Sequence, residues 1–324
     1  MMGDMLCALP MITSLRNNYP DAAILLVTKA SSRFEEIFHG CKMPVDEVFY
    51  YEQGVENYFN LVKMLREKNI DLAVVPSTVV FSGTNHFIAH YSGAKITAGV
   101  RSMDFVKNPA WYMLNVKNDF NWDVKKIHQV ERNLDIIRQL NIQPLVSKIE
   151  IPVSEAASAY AEKFYKKNFP GSKRKVAGFH PGAGKETNVW PAGKFAELAS
   201  RLKNDFGTDI LISEGPADRK YVESMTGILK EKYNISDYVI HKGSLGEITA
   251  VIDKLAVFIT NDTGIMHIST GLKIPVIALF GETSAAQWGP LGENKYSVQS
   301  SGWNINSIDV DSVYSTCKMV FNNT

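Results

Sequence analysis

Short apolar runs rich in β-branched residues alternate with longer amphipathic stretches along the chain, and this alternation constrains the fold more than any other feature. The runs lie at residues 23–27, 71–75, 175–179, 209–213, 256–260 and 275–280. Such a pattern is typical of parallel strands joined by helices that cover both faces of the sheet. The sequence therefore predicts an α/β fold with parallel sheets.

Helix boundary signals and a proline-containing segment suggest how the chain divides. Pro191 opens the stretch WPAGKFAELASRLKNDFG and Gly207 closes it, which follows the preference of helices for an early proline and a late glycine. A helix predicted over 128–140 is followed by NIQPLVSKIEIPVSEAA, which has two prolines and no clear periodicity. We therefore predict two domains, residues 1–150 and 151–324, each about the size of one doubly wound domain.

The composition excludes several classes of protein. The 324 residues carry a net charge of +1, and the first 150 hold 16 Lys and Arg against 16 Asp and Glu, so no basic arm indicates a nucleic-acid partner. Cys7, Cys41 and Cys317 have no metal-ligand spacing, which favours reduced thiols in a cytoplasm-like compartment. The N-terminus does not resemble a signal peptide, and no apolar run approaches the ~18 residues of a spanning helix.

These observations predict a cytoplasmic protein that is soluble or at most peripheral to a membrane. The basic cluster at 173–175, with Lys166 and Lys167 nearby, could touch a membrane surface. A solvated loop before a strand is the better interpretation.

The segment AVFITNDTGIMHIST (256–270) is the first candidate site. Its apolar run stops at Asp262, turns through Thr263 and Gly264, and resumes at helical spacing. In an open parallel sheet, ligands bind beyond the carboxyl ends of strands, where helix N-termini present backbone N–H groups to anions. Thr263 and Gly264 could admit a phosphate and His267 could donate to it. The alternative is that Asp262 only caps the helix and His267 is a packed core residue.

The segment FHPGAGKETNVWP (179–191) is a second strand-loop-helix candidate. It matches neither the P-loop, because Phe179 and Glu186 stand where Gly and Ser or Thr are needed, nor the dinucleotide-binding pattern, because Thr187 replaces its last Gly. The loop around Ala183, Gly184 and Lys185 could still bind phosphate, with an ordinary turn as the alternative.

Two pairs of possible metal ligands are better explained otherwise. His86 and His90 are four residues apart, but Phe87 stands where a zinc-protease helix carries Glu. Asp309 and Asp311 precede the last helix, where capping explains them. We therefore predict no metal site and no cofactor.

Four segments together resemble the ADP-heptose:lipopolysaccharide heptosyltransferase family, glycosyltransferase family 9. They are, in chain order, GDMLCALPMITSLRNNYPDAAI, HQVERNLDIIRQLNI, HPGAG followed by WPAGKFAELASRL, and NDTGIMHISTGLKIPVIALFG. The resemblance spans nearly the whole chain. It implies the GT-B fold, with two facing Rossmann-like domains, and favours a functional role for the segment at Asp262.

The resemblance also implies an activity. A family member would be an inverting, metal-independent enzyme that transfers heptose from ADP-heptose to a lipopolysaccharide inner-core acceptor at the cytoplasmic face of the inner membrane. The N-terminal domain would hold the acceptor and the C-terminal domain the nucleotide. Asp4 would be the catalytic base. The donor would be bound by Asp262, Thr263, Gly264, His267, Lys185, Gly184, Ala183 and Asn188, with its adenosine near Glu214, Gly215 and Asp218.

The sequence departs from the family pattern at two places. Asn188 and Val189 stand before Trp190-Pro191, where members often carry a Lys or Arg pair, and Lys185 is the nearest possible replacement. The hydrophobic strand that leads into Gly-Asp in the family is absent before Gly3-Asp4, so we expect the N-terminal sheet to lack its first strand. Two alternatives follow, a transferase of another nucleotide sugar and a nucleotide-binding homologue with impaired catalysis. We also expect that the last helix could pack back on the N-terminal domain.

Overall fold

The computed structural model describes residues 2–123, 126–171 and 174–322, and these form two compact units. Unit 1 holds the residues up to Glu35 together with Lys42–Ile149, and unit 2 holds Glu36–Cys41 and the chain from Glu150 onwards. Lys173, the first residue of the basic cluster at 173–175, lies outside the described residues. Within the described parts of the chain, no helix is both long enough and apolar enough to cross a membrane.

Unit 1 contains five α-helices and six strands in the part that the structure describes, although the last three residues of the helix Phe34–Phe38 belong to unit 2. They are α1 (Met2–Asn18), β1 (Leu25–Lys29), α2 (Phe34–Phe38), β2 (Glu47–Tyr51), α3 (Val55–Arg66), β3 (Leu72–Val74), α4 (Gly83–Tyr91), β4 (Ile96–Met103), β5 (Val106–Lys107), β6 (Val116–Phe120) and α5 (Gln129–Arg138). Helix α1 continues through Pro10 and packs against α5, and its apolar side chains, such as Leu6 and Leu9, are buried.

The parallel strands of unit 1 fall into two hydrogen-bonded groups. One group is the pair β1–β2, and the other is β3–β4–β6, to which β5 adds an antiparallel hairpin. A doubly wound sheet in the order 3-2-1-4-5-6 would divide in this way if its first strand were left out. The expected gap at the first strand is thus consistent with the sheet topology of this unit.

Unit 2 contains seven helices and six strands among its described residues. They are α6 (Glu155–Asn168), β7 (Val176–His180), α7 (Ala192–Phe206), β8 (Asp209–Ser213), α8 (Arg219–Tyr233), β9 (Tyr238–His241), α9 (Leu245–Ile252), β10 (Val257–Asn261), α10 (Gly264–Thr270), β11 (Val276–Phe280), α11 (Ala285–Trp288), β12 (Lys295–Gln299) and α12 (Val310–Asn322). Pro191 precedes α7, and Gly207 ends it in the left-handed conformation at φ 63°, as the boundary signals predicted.

The six strands of unit 2 form one parallel sheet in the order β12-β11-β10-β7-β8-β9. Every residue of β7, β10 and β11 is buried, which explains why these strands read as continuous apolar runs rather than alternating ones. The core includes Phe179, Trp190 and Phe195. The last helix, α12, contacts α7, β11 and β12.

Candidate functional site

The strand order of unit 2 places its switch point between β7 and β10. The chain runs outward from β7 to β8 and β9, then returns to the other side of β7 as β10 and continues to β11. Ligands of open α/β sheets bind in the crevice beyond the strand ends at such a point. The segments after β7, β10 and β11 are therefore the expected walls of a ligand site, and they include both sequence candidates.

One buried amide joins these three segments. Asn188 Nδ2 donates to Asp262 Oδ2 at 3.3 Å and to Thr283 Oγ1 at 3.1 Å. Asn188 follows β7, Asp262 follows β10 and Thr283 follows β11. The side-chain oxygen of Asn188 is buried and has no hydrogen-bond partner, so one polar group remains to be satisfied. The residue that departs from the family pattern thus lies at the centre of this cluster.

Asp262 is an acid in a setting that disfavours its charge. Burial raises the pKa of its carboxyl group, while the hydrogen bond from Thr283 and the positive charge of Lys185 act in the opposite direction. Lys185 itself is exposed, on the loop after β7. Its positive charge acts to lower the pKa of Asp262, so a cation influences the cluster although Asn188 itself is neutral.

Thr263 is the residue that caps helix α10. It has extended backbone angles, and its hydroxyl accepts a hydrogen bond from Met266 N at 3.4 Å. The alternative in which Asp262 caps the helix is therefore wrong. In helix geometry the first N–H groups, here those of Gly264 and Ile265, have no acceptor within the helix. His267 lies one turn on, with its side chain buried and its ring 6.1 Å from that of Trp288.

Asn261, the last residue of β10, fixes the loop that follows β7. Its amide donates to the carbonyls of Pro181 and Gly182 at 3.0 and 3.1 Å, and its oxygen accepts from Trp190 N at 3.1 Å. Both ends of this loop are thus tied to the centre of the sheet. Between them Gly184 and Lys185 are exposed and Ala183 is half-buried.

The expected adenosine-binding residues lie after β8, close to the same loop. The Glu214 carboxylate pairs with Lys242 Nζ at 2.7 Å. Asp218 is buried and accepts from Gly215 N at 2.9 Å. A Cβ atom on Gly182 would lie 2.0 Å from Asp218 Oδ1, so only glycine fits there. The Asp218 carboxylate is therefore occupied in holding the two loops together.

His180, at the end of β7, lies within this group. Its Nε2 is 3.6 Å from Asp218 Oδ2, and its Nδ1 is 2.8 Å from Ser213 Oγ. Burial lowers the pKa of His180, although the charge of Asp218 and the hydrogen bond to Ser213 oppose that effect. The ring is therefore neutral near pH 7 and serves as a hydrogen-bonding contact between β7 and β8.

Asp4 belongs to unit 1 and lies in the first turn of α1, where it is half-buried. A carboxylate in the first turn interacts favourably with the helix dipole. Asp4 is thus held by a regular helix that packs on α5.

The side chains weighed as metal ligands are used elsewhere. His86 contacts the Ser82 carbonyl and Asn108 Nδ2, and Asp309 accepts from Ser312 N at 2.6 Å at the start of α12. Within residues 2–123, 126–171 and 174–322, no group of three or more His, Cys, Asp or Glu side chains could hold a metal ion.

Sequence reasoning missed Asn261, Thr283, His180 and Lys242 as members of this edge of the sheet. Each stands at or directly after the end of a parallel strand, within three residues of it. The same rule that selected Asp262 would have found Thr283, because 275–280 was already predicted as a strand.

Parallel sheets covered by helices in both units, with polar segments gathered at the carboxyl ends of the unit 2 strands, define an α/β protein of the GT-B class. The family model of glycosyltransferase family 9 (heptosyltransferase) matches residues 58–316. The chain therefore belongs to glycosyltransferase family 9 and is a glycosyltransferase.

Known proteins agree with this assignment. The chain is 26% identical over 306 residues to lipopolysaccharide heptosyltransferase 3 of Escherichia coli, covering 90% of this chain and 83% of that protein. The structure of a family 9 glycosyltransferase from Veillonella parvula superposes with a TM-score of 0.79 at 19% identity, covering 100% of this chain and 95% of the other. Escherichia coli heptosyltransferase WaaC with ADP gives 0.74 at 19% identity, covering 99% and 97%.

Proposed function

We propose that this protein transfers heptose from ADP-heptose to a lipopolysaccharide inner-core acceptor, with inversion and without a metal ion. The observation that carries the proposal is the convergence of Asn188, Asp262 and Thr283 at the switch point, beside the capped start of α10. The relatives named as lipopolysaccharide heptosyltransferases, and the superposition on a heptosyltransferase described with ADP, support this donor and acceptor.

The diphosphate of the donor would lie against the first turn of α10. The N–H of Gly264, the hydroxyl of Thr263 and the ring of His267 supply hydrogen-bond donors, and the helix dipole favours negative charge there. Lys185, on the loop with Ala183 and Gly184, supplies the positive charge. As the sugar leaves, charge accumulates on the diphosphate, and these groups would stabilise it in place of a metal ion.

The remaining donor contacts follow from the neighbouring loops. Asn188 Oδ1, which has no hydrogen-bond partner, and the carboxyl group of Asp262 would accept hydrogen bonds from sugar hydroxyls. The ribose would contact Glu214, beside Gly215. Asp218 would act indirectly, because its carboxylate already holds Gly215 and faces His180.

Asp4 would act as the general base. It would take the proton from the acceptor hydroxyl while that oxygen attacks the anomeric carbon of the heptose. The carbon–oxygen bond to the diphosphate breaks on the opposite face, ADP leaves with the bonding electron pair, and the configuration inverts. The acceptor would reach the enzyme at the cytoplasmic face of the inner membrane.

The test is a transfer assay with heptose-deficient lipopolysaccharide core and a panel of ADP-, UDP- and GDP-linked sugars. The proposal expects turnover with ADP-heptose and much slower turnover with the others. Preference for another nucleotide sugar would contradict the donor assignment. Binding of ADP without turnover on any acceptor would contradict the enzymatic role and favour a binding protein with impaired catalysis.

A further inference from the structure

An exposed ion pair joins two segments at the carboxyl edge of the unit 2 sheet. Lys220, in the first turn of α8, donates from Nζ to Glu186 Oε1 at 2.5 Å, and Glu186 lies on the loop between β7 and α7. The start of α8 lies against this loop, because a Cβ atom on Gly182 would be 2.0 Å from Oδ1 of Asp218, the residue before the helix. The ion pair is therefore part of a close contact between the segments that follow β7 and β8.

The strand order places this ion pair on the path that the proposed nucleotide would follow. Strand β7 lies between β10 and β8 in the sheet. The proposed diphosphate site follows β10, and the proposed ribose contact, Glu214, follows β8. A nucleotide that spans these two places must pass the loop after β7, which carries Glu186.

Glu186 is also connected to the buried cluster of the candidate site. It begins a short 3₁₀ turn that ends at Asn188, and the Asn188 amide donates to Asp262 at 3.3 Å. One turn of the chain thus carries the ion pair at one end and the cluster at the other. The ammonium group of Lys220 is therefore held beside the loop that contributes to the proposed donor site.

Two lysines at this edge of the sheet are paired with acids, and the two pairs differ in exposure. Lys242 pairs with Glu214, whose side chain is 9% exposed, whereas Lys220 pairs with Glu186, whose side chain is 80% exposed. An exposed ion pair contributes little to stability, because water solvates both partners when they separate. Lys220 is therefore the lysine of these two that can leave its acid at little cost in free energy.

A diphosphate is a stronger partner for Lys220 than the Glu186 carboxylate is. It carries more negative charge, and its oxygens form strong charge-assisted hydrogen bonds with an ammonium group. The lysine side chain has a flexible four-carbon stem, so its ammonium group can change partner while α8 stays in place. An arriving nucleotide can thus take Lys220 from Glu186.

We propose that Lys220 is a further donor-binding residue, which Glu186 holds in the free protein and which moves to the diphosphate when the nucleotide binds. Glu186 competes with the diphosphate for this lysine and so lowers the affinity for the nucleotide. The pair forms again when ADP leaves, which favours product release. The inference rests on the proposed function, because it takes the ligand to be an ADP-linked sugar.

Calorimetry with ADP and adenosine on the full chain tests the proposal, because two variants should change the ADP affinity in opposite directions. Lys220→Met should weaken ADP binding about tenfold, since a hydrogen bond to a charged phosphate is lost. Glu186→Gln should strengthen it about threefold, since the competing carboxylate is removed. Adenosine has no phosphate and should bind both variants as it binds the parent chain.

Two further variants exclude simpler explanations. A double variant with Lys220→Met and Glu186→Gln should bind ADP as Lys220→Met alone does, because Glu186 acts through Lys220. Arg219→Met removes the neighbouring cation, which pairs with Glu223 of the same helix, and should leave the ADP affinity unchanged. The midpoint of urea unfolding should stay close to that of the parent chain in every variant, because exposed ion pairs contribute little to stability.

Weaker ADP binding in both single variants would overturn the proposal, because the ion pair would then only brace the loop. Unchanged ADP affinity in Lys220→Met would also overturn it. So would an equal gain from Glu186→Gln with and without Lys220, an equal loss of adenosine binding, or an equal loss of ADP binding in Arg219→Met. Each of these results leaves the proposed donor intact, because the parent chain still binds ADP. Failure of the parent chain to bind ADP would refute the proposed donor and this proposal together.

Discussion

At the scale of single residues, the environment of the Asp262 carboxyl group is unfavourable for the stability of the fold. Its carboxyl group is largely buried and accepts from two neutral donors, the Asn188 amide and the Thr283 hydroxyl. Burying an ionised carboxyl group costs free energy unless a positive charge pairs closely with it. A carboxylate retained there is therefore better explained by a ligand than by folding.

The raised pKa of Asp262 predicts how Asp262→Asn changes stability with pH. Well below the usual Asp pKa the carboxyl group is protonated in both the folded and unfolded states, so the variant should match the parent chain. As the pH rises from the unfolded-state pKa to the raised folded-state pKa, the unfolded parent chain releases its proton first, so the parent chain loses stability that the variant keeps. Urea unfolding at several pH values should show the variant to be more stable at pH 7, with the gain lost in acid.

Asp309→Asn is the matched control for this measurement. Hydrogen bonds from the backbone and side chain of Ser312 lower the pKa of Asp309, so its ionised form stabilises the fold above the usual Asp pKa. Asp309→Asn should therefore be less stable than the parent chain at pH 7, and the loss should disappear as the pH falls. If both variants changed in the same direction, the account of Asp262 would be wrong.

A second prediction at the residue scale is that replacing Asp4 lowers the rate of transfer and leaves the affinity for ADP unchanged. General-base catalysis is typically worth 10²–10⁴-fold, so Asp4→Asn should lower kcat by about that factor. The affinity for ADP should not change, because Asp4 belongs to unit 1 and the proposed nucleotide site belongs to unit 2. Asp71→Asn, an exposed acid of unit 1, is the control. Full transfer activity in Asp4→Asn would exclude Asp4 as the base.

At the scale of elements, the β7–α7 loop is positioned by the end of β10. Asn261→Ala removes two hydrogen bonds to carbonyl groups and one from Trp190 N, all of them buried. At about 1 kcal/mol for each net hydrogen bond, the free energy of unfolding should fall by roughly 3 kcal/mol. Urea unfolding measures this loss, and hydrogen exchange should be faster around residues 182–190.

Asn168→Ala is the control variant. It removes one hydrogen bond at the end of α6, so the free energy of unfolding should fall by about 1 kcal/mol. Equal losses would contradict the account.

The same scale shows which elements the sequence could predict. The buried strands β7, β8, β10 and β11 were found within one residue of their ends, because parallel strands covered on both faces are continuously apolar. The strands β2, β4, β5, β6, β9 and β12 were missed. Most of them are short or half-exposed, and β6, with the sequence VKNDF, carries little apolar signal.

Only part of the candidate site could be predicted from the sequence. Asp262, Thr263 and His267 could be selected from the sequence, because a predicted strand ends at Asp262 and a predicted helix begins after Gly264. The role of Asn188 could not be read from the sequence, because its partners, Asp262 and Thr283, lie 74 and 95 residues away. The side chain of Asp218 was expected to face a ligand. Its contact with Gly182 depends on how two loops pack, which local sequence does not encode.

At the scale of the whole molecule, the family and the fold follow from features spread over most of the chain. The family model covers residues 58–316, and structures of family members superpose over nearly the full length. The proposed donor site lies at the carboxyl edge of the unit 2 sheet, and the proposed base, Asp4, belongs to unit 1. We therefore propose that unit 2 binds the donor and that unit 1 binds the acceptor.

The most direct test of the account is the affinity for ADP, measured by calorimetry on the parent chain, Thr263→Val, His267→Ala and Ser154→Ala. Ser154 caps α6 as Thr263 caps α10, so its variant controls for loss of a helix cap alone. A hydrogen bond to a charged phosphate is worth about 1.5–3 kcal/mol, so Thr263→Val and His267→Ala should each weaken ADP binding about 10- to 100-fold. Ser154→Ala should bind ADP as the parent chain does. ADP affinities of Thr263→Val and His267→Ala equal to that of the parent chain would contradict the account.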